Sequence, residues 1–283
     1  AWTEATEAPL VGELSMEDSR KDWNKLYLDW YTHWLMGREN GITDMPKVQY
    51  YVMGAKEWRS SDAWPLDDIR YTKYFLHSDG DANSRDGDGQ LYTRIPESVG
   101  SDSFIYDPAD PVPSVGGARL LGGARDQATV ESRDDVLVYT TPPLDEGVEV
   151  TGPITLVLYV SSSAKDTDIT AKLVDVHPDG RAYNIQDGIL RLRYRDGLTQ
   201  RVWMQEGKIY EVSIDMSITS QYFAKGHRIR LQVSSSNFPN YERNLNTGGN
   251  NYDETSWVLA ENTIYHSPEN PSHLLLPVIP TAE

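Results

Sequence analysis

"ITLVLYVSSSAKDTDITAKLVDVHPDGRAYNIQDGILRLRYR", residues Ile154 to Arg195, decides the fold. It contains three β-prone runs, "ITLVLYVSSS", "ITAKLVDV" and "ILRLRYR", separated by a polar stretch and by the turn signal "HPDGRA". The pattern extends both ways: "KYFLH", "GQLYTRI" and "DVLVYTT" come before it, and "IYEVSIDM", "HRIRLQVSSS" and "HLLLPVI" after it. Loop-rich segments such as "DGDANSRDGDG", "DPADPVPSVGG" and "NLNTGGNN" lie between the runs. From Tyr71 onward no helical period appears. Many short strands at regular spacing predict a two-sheet sandwich or jelly roll over Tyr71–Pro280, with no helix longer than a few turns.

The arginines follow from the same reading. Leu190, Leu192 and Tyr194 alternate with Arg191, Arg193 and Arg195, and "HRIRLQV" repeats the device with Arg228 and Arg230. Alternate side chains of a strand face opposite sides. One face is then core and the other carries a row of guanidinium groups. The chain has a net charge of −17, so these groups are expected to pair with carboxylates on neighbouring strands or on a packed domain.

Upstream the pattern differs. Trp23, Leu26, Tyr27, Trp30, Trp34 and Leu35 recur at three-and-four spacing, which predicts a helix over Asp18–Met36. Asp18 or Ser19 caps its start and Gly37 closes its end. Its aromatic face is expected to pack on a sheet. "VQYYVMG", Val48 to Gly54, reads as a buried strand. The chain divides into an α/β stretch at 1–60, a linker at 61–70 and an all-β domain at 71–283.

Composition excludes several functions. With 283 residues the chain buries a large core, and it contains no cysteine, so disulfides, thiol nucleophiles and thiolate metal sites are absent. Acidic residues outnumber Lys and Arg by 43 to 26, a field that repels nucleic acid. No apolar run spans a membrane, and "AWTEATEAPL" lacks the regions of a signal peptide. A soluble protein is the expectation, and the lack of cysteine leaves the compartment open.

Local chemical motifs are few. No glycine precedes a serine by two positions, so no G-x-S-x-G nucleophile elbow exists. "SVGGARLLGGA" lacks the lysine and serine of a phosphate-binding loop. In "DGDANSRDGDGQ", Asp79, Asp81 and Asn83 have calcium-loop spacing, but Ser84 and Gln90 stand where that loop needs glycine and glutamate. A metal-free hairpin loop is expected. Asp166, Asp168, Asp175 and Asp179 could bind a metal or a sugar, but the favoured reading is that Asp166 and Asp168 shape a turn before a strand and that "HPDG" is the hairpin turn after it. Of the six histidines, His33, His77, His177, His227, His266 and His273, no two have the helical spacing of a metal pair. No metal and no cofactor is expected.

A longer resemblance joins these segments. "YLDWYTHWLMGRENGI", "YYVMGAKEWRSSDAWP", "YDPADPVPSVGG", "RDDVLVYTT", the stretch from Val148 to Arg195, Ile209 to Gly249 and "NPSHLLLP" together resemble the C-terminal half of the X-Pro dipeptidyl-peptidase-like acyl esterases. That family includes cocaine esterase, the α-amino-acid ester hydrolases and the glutaryl acylases. The resemblance covers nearly the whole chain. It implies a mainly β jelly-roll sandwich, galactose-binding-like, preceded by a short C-terminal remnant of an α/β-hydrolase core. It also implies that the catalytic serine, aspartate and helical cap lie upstream of these residues. The family's catalytic histidine sits in a G-P-W-x-H stretch. "AWTEATEAPLVG" resembles it, with Trp2 on the tryptophan and Glu4 at the histidine position. A carboxylate cannot shuttle a serine proton near neutral pH as an imidazole does, so no catalytic residue is assigned here.

Two functions remain. In the first, the chain is the C-terminal portion of a serine hydrolase acting on small esters or amides. Its partner is the N-terminal hydrolase and cap portion of the same protein, homo-oligomers are left open, and the chain alone hydrolyses nothing. The alternative is a carbohydrate-binding jelly-roll module using Phe238 and Tyr241 as an aromatic platform.

Overall fold

The computed structural model describes residues 10–119 and 122–280. Short elements open the chain. Strands β1 (Leu10–Val11) and β2 (Leu14–Ser15) pair, then come helix α1 (Trp23–Met36), a 3-10 turn at Ile42–Asp44, and the hairpin of β3 (Val48–Val52) and β4 (Glu57–Ser61). Eleven strands follow: β5 (Arg70–His77), β6 (Gln90–Tyr92), β7 (Gly100–Tyr106), β8 (Leu137–Thr140), β9 (Val148–Ser162), β10 (Asp168–Val176), β11 (Ala182–Arg191), β12 (Tyr210–Phe223), β13 (Arg228–Ser234), β14 (Ala260–His266) and β15 (His273–Ile279). Among these, one four-residue helix appears, α2 (Ala128–Glu131).

The eleven strands hydrogen-bond in the order β11-β10-β13-β8-β6-β5-β15-β9-β14-β7, with β12 on the other edge of β9. Every pairing is antiparallel except the single parallel contact of β6 with β8. The network folds over into a jelly-roll sandwich. Its core contains Leu156, Leu158, Ile169, Leu173, Ile214, Phe223, Ile229 and Leu231. Strand β11 crosses β12 closely: Gln186 Nε2 donates to the Ile218 carbonyl at 2.7 Å. Gly188 permits this approach, because a Cβ there would lie 2.5 Å from the Asp215 oxygen.

The arginine device is partly as expected. In β13, Ile229, Leu231 and Val233 are core, while Arg228 and Arg230 face outward. Arg230 pairs with the buried Glu131 of α2 at 2.6 Å. "ILRLRYR" does not stay a strand. It ends at Arg191 and continues as a 3-10 turn over Leu192–Tyr194, which buries both Leu192 and Arg193. Buried Asp166 and Asp168 dictate this: Asp168 holds Arg191 through two bonds of 2.9 and 3.0 Å, and Asp166 accepts from the Arg193 amide at 3.0 Å. Arg195 instead donates to the carbonyls of Leu192 and Val202 and stacks on Tyr210. Asp166 and Asp168 are therefore buried ion-pair anchors, and the turn-forming role expected of them is corrected.

Helix α1 starts later than its periodicity predicts. Asp18 has a left-handed backbone, φ 59°, which breaks the helix, and Asp22 caps it by accepting from the Lys25 amide. Gly37 closes it in the left-handed conformation, as expected. None of its residues is fully buried, and the Trp30, Trp34 and Leu35 part of its aromatic face packs on no sheet among the described residues. β3 likewise buries only Val52. Backbone bonds tie the N-terminal segment to the sandwich: Met53 to β12, and Glu13 to Ala124.

Removing one partner of a buried ion pair strands the other charge. Arg191→Met should lower stability by about 3 kcal/mol, read as a shift of the urea midpoint. The double variant Arg191→Met/Asp168→Asn should recover part of that loss.

Candidate functional site

Folding gathers three polar constellations and one apolar face. The first is a serine, a histidine and an aspartate. Asp102 of β7 is fully buried and accepts from Ser78 Oγ at 2.7 and 2.8 Å, from Tyr139 OH at 2.7 Å and from the Ala82 amide at 2.9 Å. His266 Nε2 lies 2.9 Å from both Asp102 Oδ2 and Ser78 Oγ. Burial raises the Asp102 carboxyl, but hydrogen bonds from His266, Ala82, Ser78 and Tyr139 overcome it and hold the group below its usual range. Gly100 makes room for the imidazole, since a Cβ there would lie 2.3 Å from the ring.

This cluster cannot act as a catalytic triad. A triad needs the imidazole to receive the serine proton on one nitrogen while the carboxylate holds the other. Here one nitrogen meets both groups, and the serine hydroxyl donates to the carboxylate. The cluster pins the start of the Asp79–Gln90 loop to β7 and β14. That loop uses its acids internally: the Asp88 carboxylate accepts from the amides of Asp79 and Asp81. Ser84 takes the left-handed turn conformation expected of glycine, φ 63°.

The second constellation lies on the outer face of β10. Lys172 is only 5% exposed, and its Nζ reaches Gln127 Oε1 at 3.3 Å. Burial pushes its ammonium down to about 8, against the opposing fields of Asp187 and Glu131. The third joins the ends of β10 and β13. Asp175 is buried, with its Oδ1 2.8 Å from His227 Nδ1 and its Oδ2 3.7 Å from His177 Nε2. Burial raises the Asp175 carboxyl, and the hydrogen bond from His227 opposes this.

The fourth feature is the α1 face. Trp30, Trp34 and Leu35 are 51%, 60% and 78% exposed. Trp30 and Trp34 contact each other at 5.8 Å between ring centres. Nearby in the chain, a cavity of about 520 Å³ opens between Val11, Met16 and Met53 on one side and Gly117, Ala124 and Ile185 on the other.

Glu4 lies outside the described residues. Phe238 is exposed, and Tyr241 is half-buried with its hydroxyl tied to Asp187 at 2.9 Å. The remaining histidines have structural contacts: His33 with the Arg38 carbonyl, His77 with that of Arg94, and His273 with that of Pro271. His177 does sit in the β10–β11 turn, but it also meets His227. The sequence reading missed both histidine clusters, because their members are 24 to 188 residues apart or depend on strand register. The only local signal was D-x-H at Asp175–His177, a spacing that puts both side chains on one strand face. Among the described residues, no helix is long and apolar enough to cross a membrane.

Comparison with known proteins gives a consistent picture. Residues 40–275 match the X-Pro dipeptidyl-peptidase C-terminal non-catalytic domain. Cocaine esterase of Rhodococcus sp. is 50% identical over 251 residues, covering 87% of this chain and 44% of that protein. The crystal structure of an aminopeptidase from a marine sediment Thaumarchaeota archaeon superposes with a TM-score of 0.84 at 29% identity, covering 96% of this chain and 47% of the other. An α-amino acid ester hydrolase superposes with a TM-score of 0.83 at 26% identity, covering 97% and 47%. The chain thus spans less than half the length of these relatives.

Two outcomes are expected from this geometry. A serine-reactive fluorophosphonate should leave Ser78 unlabelled, because its hydroxyl is committed to Asp102; mass spectrometry of the treated chain checks this. For Lys172 the sign follows from its lowered value. Below pH 8 both folded and unfolded chains carry the proton, and folding bears the full cost of burying it. Between pH 8 and 10.5 only the unfolded chain keeps it, so the wild type gains stability as pH rises. The thermal midpoint of Lys172→Met, relative to wild type, should therefore fall between pH 7 and pH 10.

Proposed function

We propose that this chain, which belongs to the family of X-Pro dipeptidyl-peptidase C-terminal non-catalytic domains, is the C-terminal portion of a serine hydrolase acting on esters or amides. Its jelly roll stabilises an N-terminal α/β-hydrolase portion of the same protein and walls the acyl pocket. Residues 1–60 supply the last helix and strand of that hydrolase core, and 71–283 the jelly roll. The family assignment supports the class of the parent protein. The chemistry comes from outside this chain, because no described serine has a triad geometry.

The uncovered face of α1 carries this reading. A helix of 14 residues that fully buries none of them takes little stability from packing against the described residues and is marginal on its own in water. A contiguous patch of Trp30, Trp34 and Leu35 needs a partner. A missing hydrolase sheet supplies one, because the elements that precede and follow α1 are already anchored to the sandwich at Ala124 and at β12. The cavity beside Met16, Met53 and Ile185 is the part of the jelly roll that we assign to the acyl-pocket wall. Its apolar residues suit the acyl side of an ester or amide, and Arg119, Asn184, Gln186 and Asp187 add polar groups to the same lining.

The test is complementation. The chain should hydrolyse no nitrophenyl ester and no X-Pro anilide alone. Co-expressed with the hydrolase and cap portion of its own protein, it should co-purify with that portion and restore turnover. Trp30→Ser/Trp34→Ser should weaken the association at least tenfold, which is about 1.4 kcal/mol, without lowering the isolated chain's thermal midpoint. Unchanged association would remove α1 as the docking face, and turnover by the chain alone would overturn the reading.

A further inference from the structure

We propose that Asp175, His177 and His227 form a binding site for one divalent transition-metal ion of the zinc type. One ligand atom from each residue lies within 4.8 Å of the other two. Strand register creates the group. Antiparallel pairing sets Val176 against Arg228 and Asp175 against Ile229, which places the next residues, His177 and His227, across from each other. Asp175 is two residues before His177, on the same strand face. The imidazole rings are 4.3 Å apart, with the buried carboxylate beside them.

The distances suit a small ion. Zinc binds imidazole nitrogen and carboxylate oxygen at roughly 2.0 to 2.2 Å, and tetrahedral angles then separate its ligand atoms by roughly 3.3 Å. Asp175 Oδ1 lies 2.8 Å from His227 Nδ1 and Asp175 Oδ2 lies 3.7 Å from His177 Nε2, so the carboxylate as a whole sits within reach of an ion between the two rings. Small side-chain rotations therefore complete the set without backbone movement. An entering ion replaces the proton shared by His227 Nδ1 and Asp175 Oδ1 and releases it to water. Two nitrogens and one oxygen favour zinc, cobalt, nickel or copper over calcium and magnesium, which prefer all-oxygen sites.

Three further features fit. His177 Nε2 makes no hydrogen bond among the described residues, so its donor atom is available. Gln221 Nε2 donates to Asp175 Oδ2 at 3.0 Å and orients the carboxylate from behind, the outer support usual for metal ligands. His177 and His227 keep 24% and 17% of their side-chain surface exposed, and His177 lines a cavity of about 740 Å³ with Pro178, Gly226 and Arg228. A water can therefore reach the fourth position. The bound ion would clip the β10–β11 turn to the β12–β13 turn, at the far end of a strand whose other end is held by ion pairs.

The experiment is a calorimetric titration of the chelator-stripped chain with Zn2+, in millimolar Ca2+ and Mg2+ to occupy surface carboxylates. The expected result is one equivalent bound, a higher thermal midpoint with zinc, and visible absorption bands of tetrahedral type when Co2+ replaces it. His177→Ala should weaken binding at least about tenfold and abolish the zinc-induced rise of the thermal midpoint, measured against its own metal-free midpoint. His227→Gln should do the same to binding; if that variant fails to fold, His177→Ala decides alone. Absence of zinc binding over the competing ions overturns the proposal, as does equal affinity in His177→Ala, which would place the ion on surface carboxylates.

Discussion

Strand β10 is covered on both faces, and the rest of the structure accommodates that fact. Its inward residues Ile169, Ala171 and Leu173 join the main core, as a sandwich strand's should. Its outward and terminal residues include Asp168, Thr170, Lys172 and Asp175, all buried. A buried charge is tolerated only when it is paired or hydrogen-bonded. Each therefore recruits a partner from another element. Asp168 takes Arg191 and Asn244, Thr170 takes Ser234, Lys172 takes Gln127, and Asp175 takes His227 and Gln221. The segment carrying α2 exists largely as a lid on this face, and its Glu131 binds Arg230 and Gln232 of the neighbouring strand.

These partnerships explain which parts of the sequence were legible. Most of the sandwich strands, though not β7 and β14, the capping Gly37 and the outward set of Arg228 and Arg230 follow from periodicity and turn chemistry, which are local. The expectation that arginines meet carboxylates also held for Arg191, Arg193 and Arg230, because a buried guanidinium needs a hydrogen-bonding partner, whereas Arg195 and Arg228 find theirs in backbone carbonyls. The strand through Leu192–Tyr194 failed for a non-local reason. Alternation predicted an extended chain, but Asp166 captures the Arg193 amide and bends the backbone into a 3-10 turn. Propensity yielded to a buried charge.

The polar clusters were illegible for a related reason. Ser78, Asp102 and His266 come from three distant segments, and nothing near any of them marks it. The Asp175–His177 pair was visible as a two-residue spacing, but its meeting with His227 depends on the β10–β13 register. Register is set by which hydrophobic faces meet the core, and that is known only once the strands are paired. The helix face erred in the opposite direction. Its pattern was read as one that packs on a sheet, but Trp30, Trp34 and Leu35 lie exposed and meet no sheet among the described residues.

Charge and exposure together constrain what can cover that face. The internal ion pairs use up several arginines, so the excess of acidic groups is left largely on the surface. Two copies of so acidic a chain repel each other at long range. An apolar patch then has to outweigh that repulsion by burial alone if a second copy is to cover it. The proposed hydrolase sheet, if continuous with the same polypeptide, would face no such barrier to encounter, because its effective concentration would be set by the covalent connection. Met53 and Glu13 reinforce this by fixing both flanks of α1 to the sandwich through backbone bonds. The aromatic face is thereby presented in one orientation, and little conformational entropy remains to be lost when a partner sheet meets it.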